Sequence, residues 1–533
     1  MPQLVALFRS TTSTRASPSL QLQTIDMRPT VHELLASPPP LPHQDLERDL
    51  DDLETLNDET GFGIGKDRER KLFRQLGFSF FIFGLINNVL YVIILSAALD
   101  LVPPSTPKGI IAFCNIAPAL LAKIGWPYFL KGRIRYVKRL VGCSMLSSFG
   151  MIVVALFDSL FMRLLGICLA SFSSGLGELT FLQLSTTYAP PSVAGHSIGY
   201  FASGTGAAGL VGAFLWWEVR SLGVRIGVGI SSILPVIIPV TYFFLLPSPL
   251  AFLSFPSDTS AFSSPPAGEY TPIATVEDEL AGEEEGTLSP GPKRGVSLSL
   301  ADKWRLVQPL LGKYMLPLFC VYFVSIYPFR MLKDPAYDWV LSIPSTRGKQ
   351  GIAPTLLYAV PSARDHPWLS KIIHSIRDYY PLWQLVYQST VFISRSSISL
   401  GLPALPTNLL SLPAIIQAVI LLTLVLESAV GIFDGSNADS GVGGIIMVFI
   451  LISLEGICGG LAYVNVFYRI NQEPPSSSHH DIERTKQEKE FKIGSVGFAD
   501  SSGILLASIA AVPTEVQLCR VQMRRGKMFC KGL

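Results

Sequence analysis

Charge is what this sequence has least of: only 15% of its 533 residues are Asp, Glu, Lys or Arg, against about a quarter in soluble domains. That excludes an ordinary soluble multidomain enzyme. The 42 basic residues nearly cancel the 40 acidic ones, leaving a formal charge of +2, so no global field selects nucleic acid as a partner. Seven cysteines are scattered without a CxxC pair, which argues against a disulfide framework and a metal site. HExxH is missing and no histidine lies deep in an apolar stretch, so neither an enzyme nor a cofactor is expected. No apolar core of signal-peptide length stands near the start, and no Asn-x-Ser/Thr acceptor marks a lumenal face. Sidedness has to be read from Lys and Arg.

What the chain has instead is apolar length. Apolar residues make up 49%, Gly and Pro number 44 and 39, and the mean hydropathy is +0.41, a composition suited to membrane helices. Residues 1–72 read as a disordered tail with an acidic run from Asp45 to Glu59. Apolar blocks then recur near 75–98, 109–130, 140–158, 161–186, 196–217 and 224–246, forming a six-helix half over 73–246. Each is close to the roughly 20 residues needed to cross the hydrocarbon core. An acidic, Ser/Pro-rich linker covers 247–305, too polar to bury a core. A second membrane half, 306–513, has spans near 307–328, 383–401, 409–431, 443–467 and 493–513, with an ill-defined loop at 329–382 and a short basic tail at 514–533. Within that loop, Trp368 to Tyr380 reads as an interfacial amphipathic helix, with a soluble cap as the competing reading of the loop. The fold class is thus an all-α polytopic membrane protein of about eleven transmembrane helices, arranged as two major-facilitator-like halves.

Lys66, Arg68, Arg70, Lys71 and Arg74 precede the first span, and Lys131, Arg133, Arg135, Lys138 and Arg139 fill the loop after the second. Both groups, and the N-terminus with them, belong on the cytoplasmic side. An odd number of crossings sends the C-terminus to the lumen, against the preference of Arg520, Arg524, Arg525, Lys527 and Lys531, so its side stays open.

Ionisable residues inside spans carry most of the information, because each costs several kcal/mol unless it meets a polar interior or a partner. Lys123, Glu178, Lys313, Arg395, Glu427, Glu455 and Asp500 qualify. Those near span ends, Lys123, Lys313 and Glu427, can snorkel to the interface. Glu178, with Ser174 and Ser171 at preceding turns, makes a polar stripe; Glu455, Gly459 and Tyr463 share a face at four-residue steps. Asn87 and Asn88 add amides to the first span. The transport-cavity candidates are therefore Glu178, Ser174, Arg395, Glu455, Tyr463, Asp500, Asn87, Asn88 and Lys123. Gly204, Gly206 and Gly209 fit GxGxxG but lie inside an apolar span with no preceding strand, so they are assigned, with Gly459 and Gly460, to helix packing. GFGIGK at 61–66 has the wrong glycine spacing for a phosphate loop. Carboxylates in such a cavity can also take up protons, which makes proton coupling part of the expectation.

The segments GLINNVLYVIILSAALD (84–100), SFSSGLGELTFLQL (171–184), SGTGAAGLVGA (203–213), YQSTVFISRSS (387–397) and LEGICGGLAYVNVFYRI (454–470) together resemble the battenin family of lysosomal and vacuolar membrane proteins. The resemblance implies a transporter-like fold in the vacuolar membrane, tied to vacuolar pH homeostasis and basic amino-acid handling, or alternatively export of a glycerophosphodiester. A further alternative is a non-transporting membrane organiser whose tails and linker recruit cytosolic trafficking or proton-pump partners. The family also brings prenylation of a C-terminal Cys to mind, and Cys530 stands at that distance, although Lys531 and Gly532 are not aliphatic. The expected partners are thus the lipid bilayer and a small charged or zwitterionic solute, a basic amino acid or a glycerophosphodiester.

Overall fold

The computed structural model describes residues 43–97, 109–129, 134–219, 222–252, 298–323, 352–361, 366–433, 440–473 and 482–527. The chain divides into two units, Met1–Lys66 and Asp67–Leu533. In the first, the described residues are helical from His43 onward, inside the stretch assigned by composition to a tail. Residues 1–42, Cys530 and most of the acidic linker lie outside the described residues.

All regular elements among the described residues are helical. Before residue 253 they are α1 (His43–Ser96), α2 (Gly109–Phe129), α3 (Tyr136–Leu156), α4 (Leu160–Ser185), α5 (Pro191–Val219) and α6 (Val224–Ser231); we call these the leading set. After residue 297 come α7 (Leu300–Leu310), α8 (Leu316–Tyr322), α9 (Tyr379–Arg395), α10 (Leu412–Val430), α11 (Ser440–Gln472) and α12 (Ile482–Arg524), the trailing set. Among the described residues eight helical stretches are long and apolar enough to cross a membrane, and the protein is a multi-pass membrane protein. The other three expected spans fall on α2, on α7–α8 and on α9.

Local sequence explains the departures. The sixth span is not one α-helix, because Pro235 and Pro239 remove ladder donors; α6 passes through a 3-10 turn, a short α segment and a π turn before Leu246. The seventh is likewise interrupted by a π turn at Leu311–Met315 between α7 and α8. The amphipathic helix expected over Trp368–Tyr380 is absent. Instead there are turns and a 3-10 turn at Ile376–Asp378, where His374 and Ser375 both donate backbone N–H groups to Asp378 Oδ2 at 2.8 Å. α9 ends at Arg395 rather than carrying it mid-span, and α12 continues through the expected tail to Arg524. Cys114, Cys143, Cys168 and Cys320 are free, whereas Cys519 is disulfide-bonded, which the scattered spacing did not predict.

Close helix contacts set the scaffold. A Cβ on Gly175 of α4 would meet Ala119 O of α2 at 2.5 Å. Ser171 Oγ accepts from Ala119 N–H at 3.2 Å and donates to Asn115 O at 2.9 Å, so it bridges the backbone groups that bracket Pro118, the usual repair for a proline inside a membrane helix. Gly204 lies against Phe81 O, bringing α5 onto α1, and Gly460 lies against Ser394, bringing α11 onto α9.

Candidate functional site

Lys123 is the centre of the site. It sits four residues beyond the Ala119 contact, on the face of α2 turned to α4 and α12, and is only 3% exposed. Its Nζ lies 2.9 Å from Glu178 Oε2 of α4 and 3.3 Å from Asp500 Oδ1 of α12, and donates to Ser501 Oγ at 2.8 Å. It therefore does not snorkel. A lysine charge buried this deeply survives only with its counter-charges in place. Asp500 is held further by the Ser501 N–H, which donates to Oδ1 at 2.7 Å.

Tyr463 of α11 extends the network, donating its hydroxyl to Glu178 Oε1 at 2.7 Å. Arg395 lies over the same ring, with Cζ 4.2 Å from the centroid, within range of a cation–π attraction. Its Nη1 donates to Thr205 Oγ1 of α5 at 2.7 Å and its Nη2 to Tyr322 OH of α8 at 3.1 Å. Seven helices, α2, α4 and α5 of the leading set and α8, α9, α11 and α12 of the trailing set, thus meet through one chain of polar contacts.

Asn87 and Ser174 pair with each other beside this chain: Asn87 Nδ2 donates to Ser174 O at 3.0 Å and Ser174 Oγ donates to Asn87 O at 2.9 Å. Asn88 turns back on its own helix, donating to Gly84 O at 3.1 Å. Glu455 is buried on α11, but no described contact joins it to Lys123 or Arg395. Gly206 and Gly209 face Phe392 and Gln388 of α9. Gly459 is buried. Away from the centre, Glu427 accepts from Tyr358 OH at 2.7 Å and from Phe433 N–H at 2.8 Å, and Lys313 pairs with Glu473 at 2.7 Å; neither reaches the site.

Sequence reading missed three contributors. Ser501 stands next to a named residue and Thr205 between two named glycines, so both were within reach of the motifs. Tyr322 carries no pattern of its own. Among the described residues no cluster of His, Cys, Asp and Glu could hold a metal ion.

A family model described as CLN3 protein matches residues 78–327 and 348–521. Protein BTN1 of Mycosarcoma maydis is 42% identical over 87% of this chain and 90% of its own length. Protein BTN1 of Cryptococcus neoformans is 41% identical over 92% and 100%, and btn1 of Schizosaccharomyces pombe 35% over 86% and 97%. Among solved structures, the chain is similar to the human organic anion transporter MFSD10, with a TM-score of 0.44 at 11% identity, covering 86% of this chain and 99% of that one. It is also similar to a bacterial homologue of ferroportin in an outward-facing state, with a TM-score of 0.42 at 13% identity, covering 86% and 98%. With the family model spanning both helix sets and fungal relatives aligned over most of their length, the chain belongs to the CLN3 protein, or battenin, family.

Proposed function

We propose that this protein is a transporter, or a regulator of transport, in the vacuolar membrane, with its N-terminus in the cytoplasm. Its solute is small and charged or zwitterionic: a basic amino acid on the first reading, a glycerophosphodiester on the second. By moving it the protein contributes to vacuolar pH balance.

The observation that carries this reading is the buried ion network between the two helix sets, Lys123 with Glu178 and Asp500. Buried ion pairs are a poor way to stabilise a fold, since well-packed apolar side chains do as well or better. They are a good way to bind something that replaces one partner. A cationic group can take the place of the Lys123 ammonium at Glu178 or Asp500, and a proton can neutralise the same carboxylates, which would couple solute and proton movement.

The test is uptake and solute profiling of isolated vacuoles carrying Glu178→Gln, Asp500→Asn or Arg395→Ala. Altered content of lysine and arginine supports the first reading, and altered glycerophosphodiesters the second. Normal solutes and normal pH in correctly localised variants overturn both. Should those variants be silent while deletion of residues 260–290 abolishes vacuolar function, the chain is an organiser of cytosolic partners instead.

A further inference from the structure

We propose that Arg395, with the hydroxyls of Thr205 and Tyr322, forms an anion-binding end of the solute site that takes a carboxylate or phosphodiester group, and that Lys123 does not share this role. The inference deepens the proposed function and rests on it.

The two cations are in different states. An ammonium has three donors, and Lys123 directs them at Glu178, Asp500 and Ser501. No donor remains for a solute anion. A guanidinium has five donors. Arg395 gives one to Thr205 and one to Tyr322, while its buried Nε has no hydrogen-bond partner. No carboxylate among the described residues comes within ion-pair distance of it, although Arg395 is itself largely enclosed by protein. A largely enclosed arginine surrounded by hydroxyls and a ring thus has no carboxylate in direct contact among the described residues, and its planar fork matches a carboxylate or phosphate better than any other ligand.

The surroundings hold the fork in place. The Tyr463 ring supports one face. Gly206 leaves room for the stem, since a Cβ there would meet Arg395 Cβ and Cδ at 3.4 Å, and Thr205 precedes it on the same helix. The same Tyr463 hydroxyl donates to Glu178. One tyrosine therefore separates the anion end from the carboxylate end, a spacing that suits a solute bearing both signs.

The test uses the full chain purified into phosphatidylcholine nanodiscs. Four probes are titrated: L-lysine and glycerophosphoethanolamine, which carry an anionic group, and cadaverine and ethanolamine, which do not. Arg395→Gln is expected to weaken the anion-bearing probes by about tenfold or more, the loss of one charge-assisted fork, and to change the other two by less than about twofold. Arg395→Lys recovers part of the loss, and Thr205→Val costs about threefold for the same probes, a neutral contact. A loss confined to lysine identifies a carboxylate, and one confined to glycerophosphoethanolamine a phosphodiester. Equal loss of all four probes from a monodisperse Arg395→Gln protein overturns the anion end and makes Arg395 structural. If Glu178→Gln weakens binding while Arg395→Gln does not, the anion end falls and the proposed function stands. If the unaltered protein binds none of the four, both fall.

Discussion

Lys303 reaches from the first turn of α7 to the end of α2, where its Nζ donates to Pro127 O at 2.9 Å and to Tyr128 O at 3.1 Å. These are last-turn carbonyls, which have no partner within their own helix, and an ammonium there also meets the negative end of the helix dipole. Close by, Tyr136 OH donates to Glu490 Oε1 at 2.6 Å and Gln183 Nε2 to Glu490 O at 3.2 Å. The leading and trailing sets are thus clasped at the end where the basic loop lies.

Lys303→Met should loosen that clasp, at a cost of about 1.5–3 kcal/mol for a charged hydrogen bond. Hydrogen exchange at the end of α2 and the start of α7 should rise, and the thermal midpoint of the detergent-solubilised protein should fall. Unchanged exchange in both segments would show that the clasp carries no weight.

Lys123→Met leaves two carboxylates buried around an apolar side chain. A loss of about 3–5 kcal/mol is expected from breaking a buried pair on one side. The triple replacement Lys123→Met, Glu178→Gln, Asp500→Asn should regain most of it. Equal stabilities of the single and triple variants in a denaturation series would contradict this account.

Gly204→Leu and Gly460→Val should both destabilise by more than the roughly 1–3 kcal/mol of ordinary overpacking, since each new side chain meets a neighbouring helix at once. Gly142→Ala is the control, having nothing within 4 Å of the added carbon. Yield and monodispersity after extraction report the difference; a Gly204→Leu protein as well behaved as Gly142→Ala would refute it.

Glu473 lies just beyond α11. Partial burial pushes its pKa up, but the Lys313 ammonium and the Tyr314 hydroxyl, at 2.7 and 2.8 Å, hold it below the usual carboxylate range. A carboxylate lowered in the folded state contributes stability above its unfolded value, near 4.3, and loses it as the pH falls through the lower folded value. Acid unfolding followed by tryptophan fluorescence should show this slope, and Glu473→Gln should flatten it. A slope untouched by the substitution would place the acid sensitivity elsewhere.

Sequence reading reached the membrane class, and it singled out Lys123, Glu178, Asp500, Tyr463 and Arg395, because a charge in an apolar run needs a reason. It did not reach their pairing. Lys123 and Asp500 are far apart in the chain, and only the packing of α2 on α12 brings them together. Nor did it anticipate that Ser171 and Ser174 serve neighbouring backbones, since hydroxyls on a polar stripe look the same whether they face water or a helix.

The network has one more property, visible once its members are sorted by helix set. Lys123 and Glu178 belong to the leading set, Arg395 and Asp500 to the trailing one, so each side carries one cation and one anion. On the proposed transporter reading, a parting of the sets would carry no surplus charge from these four groups across the membrane voltage. Any current measured during turnover would then belong to the cargo.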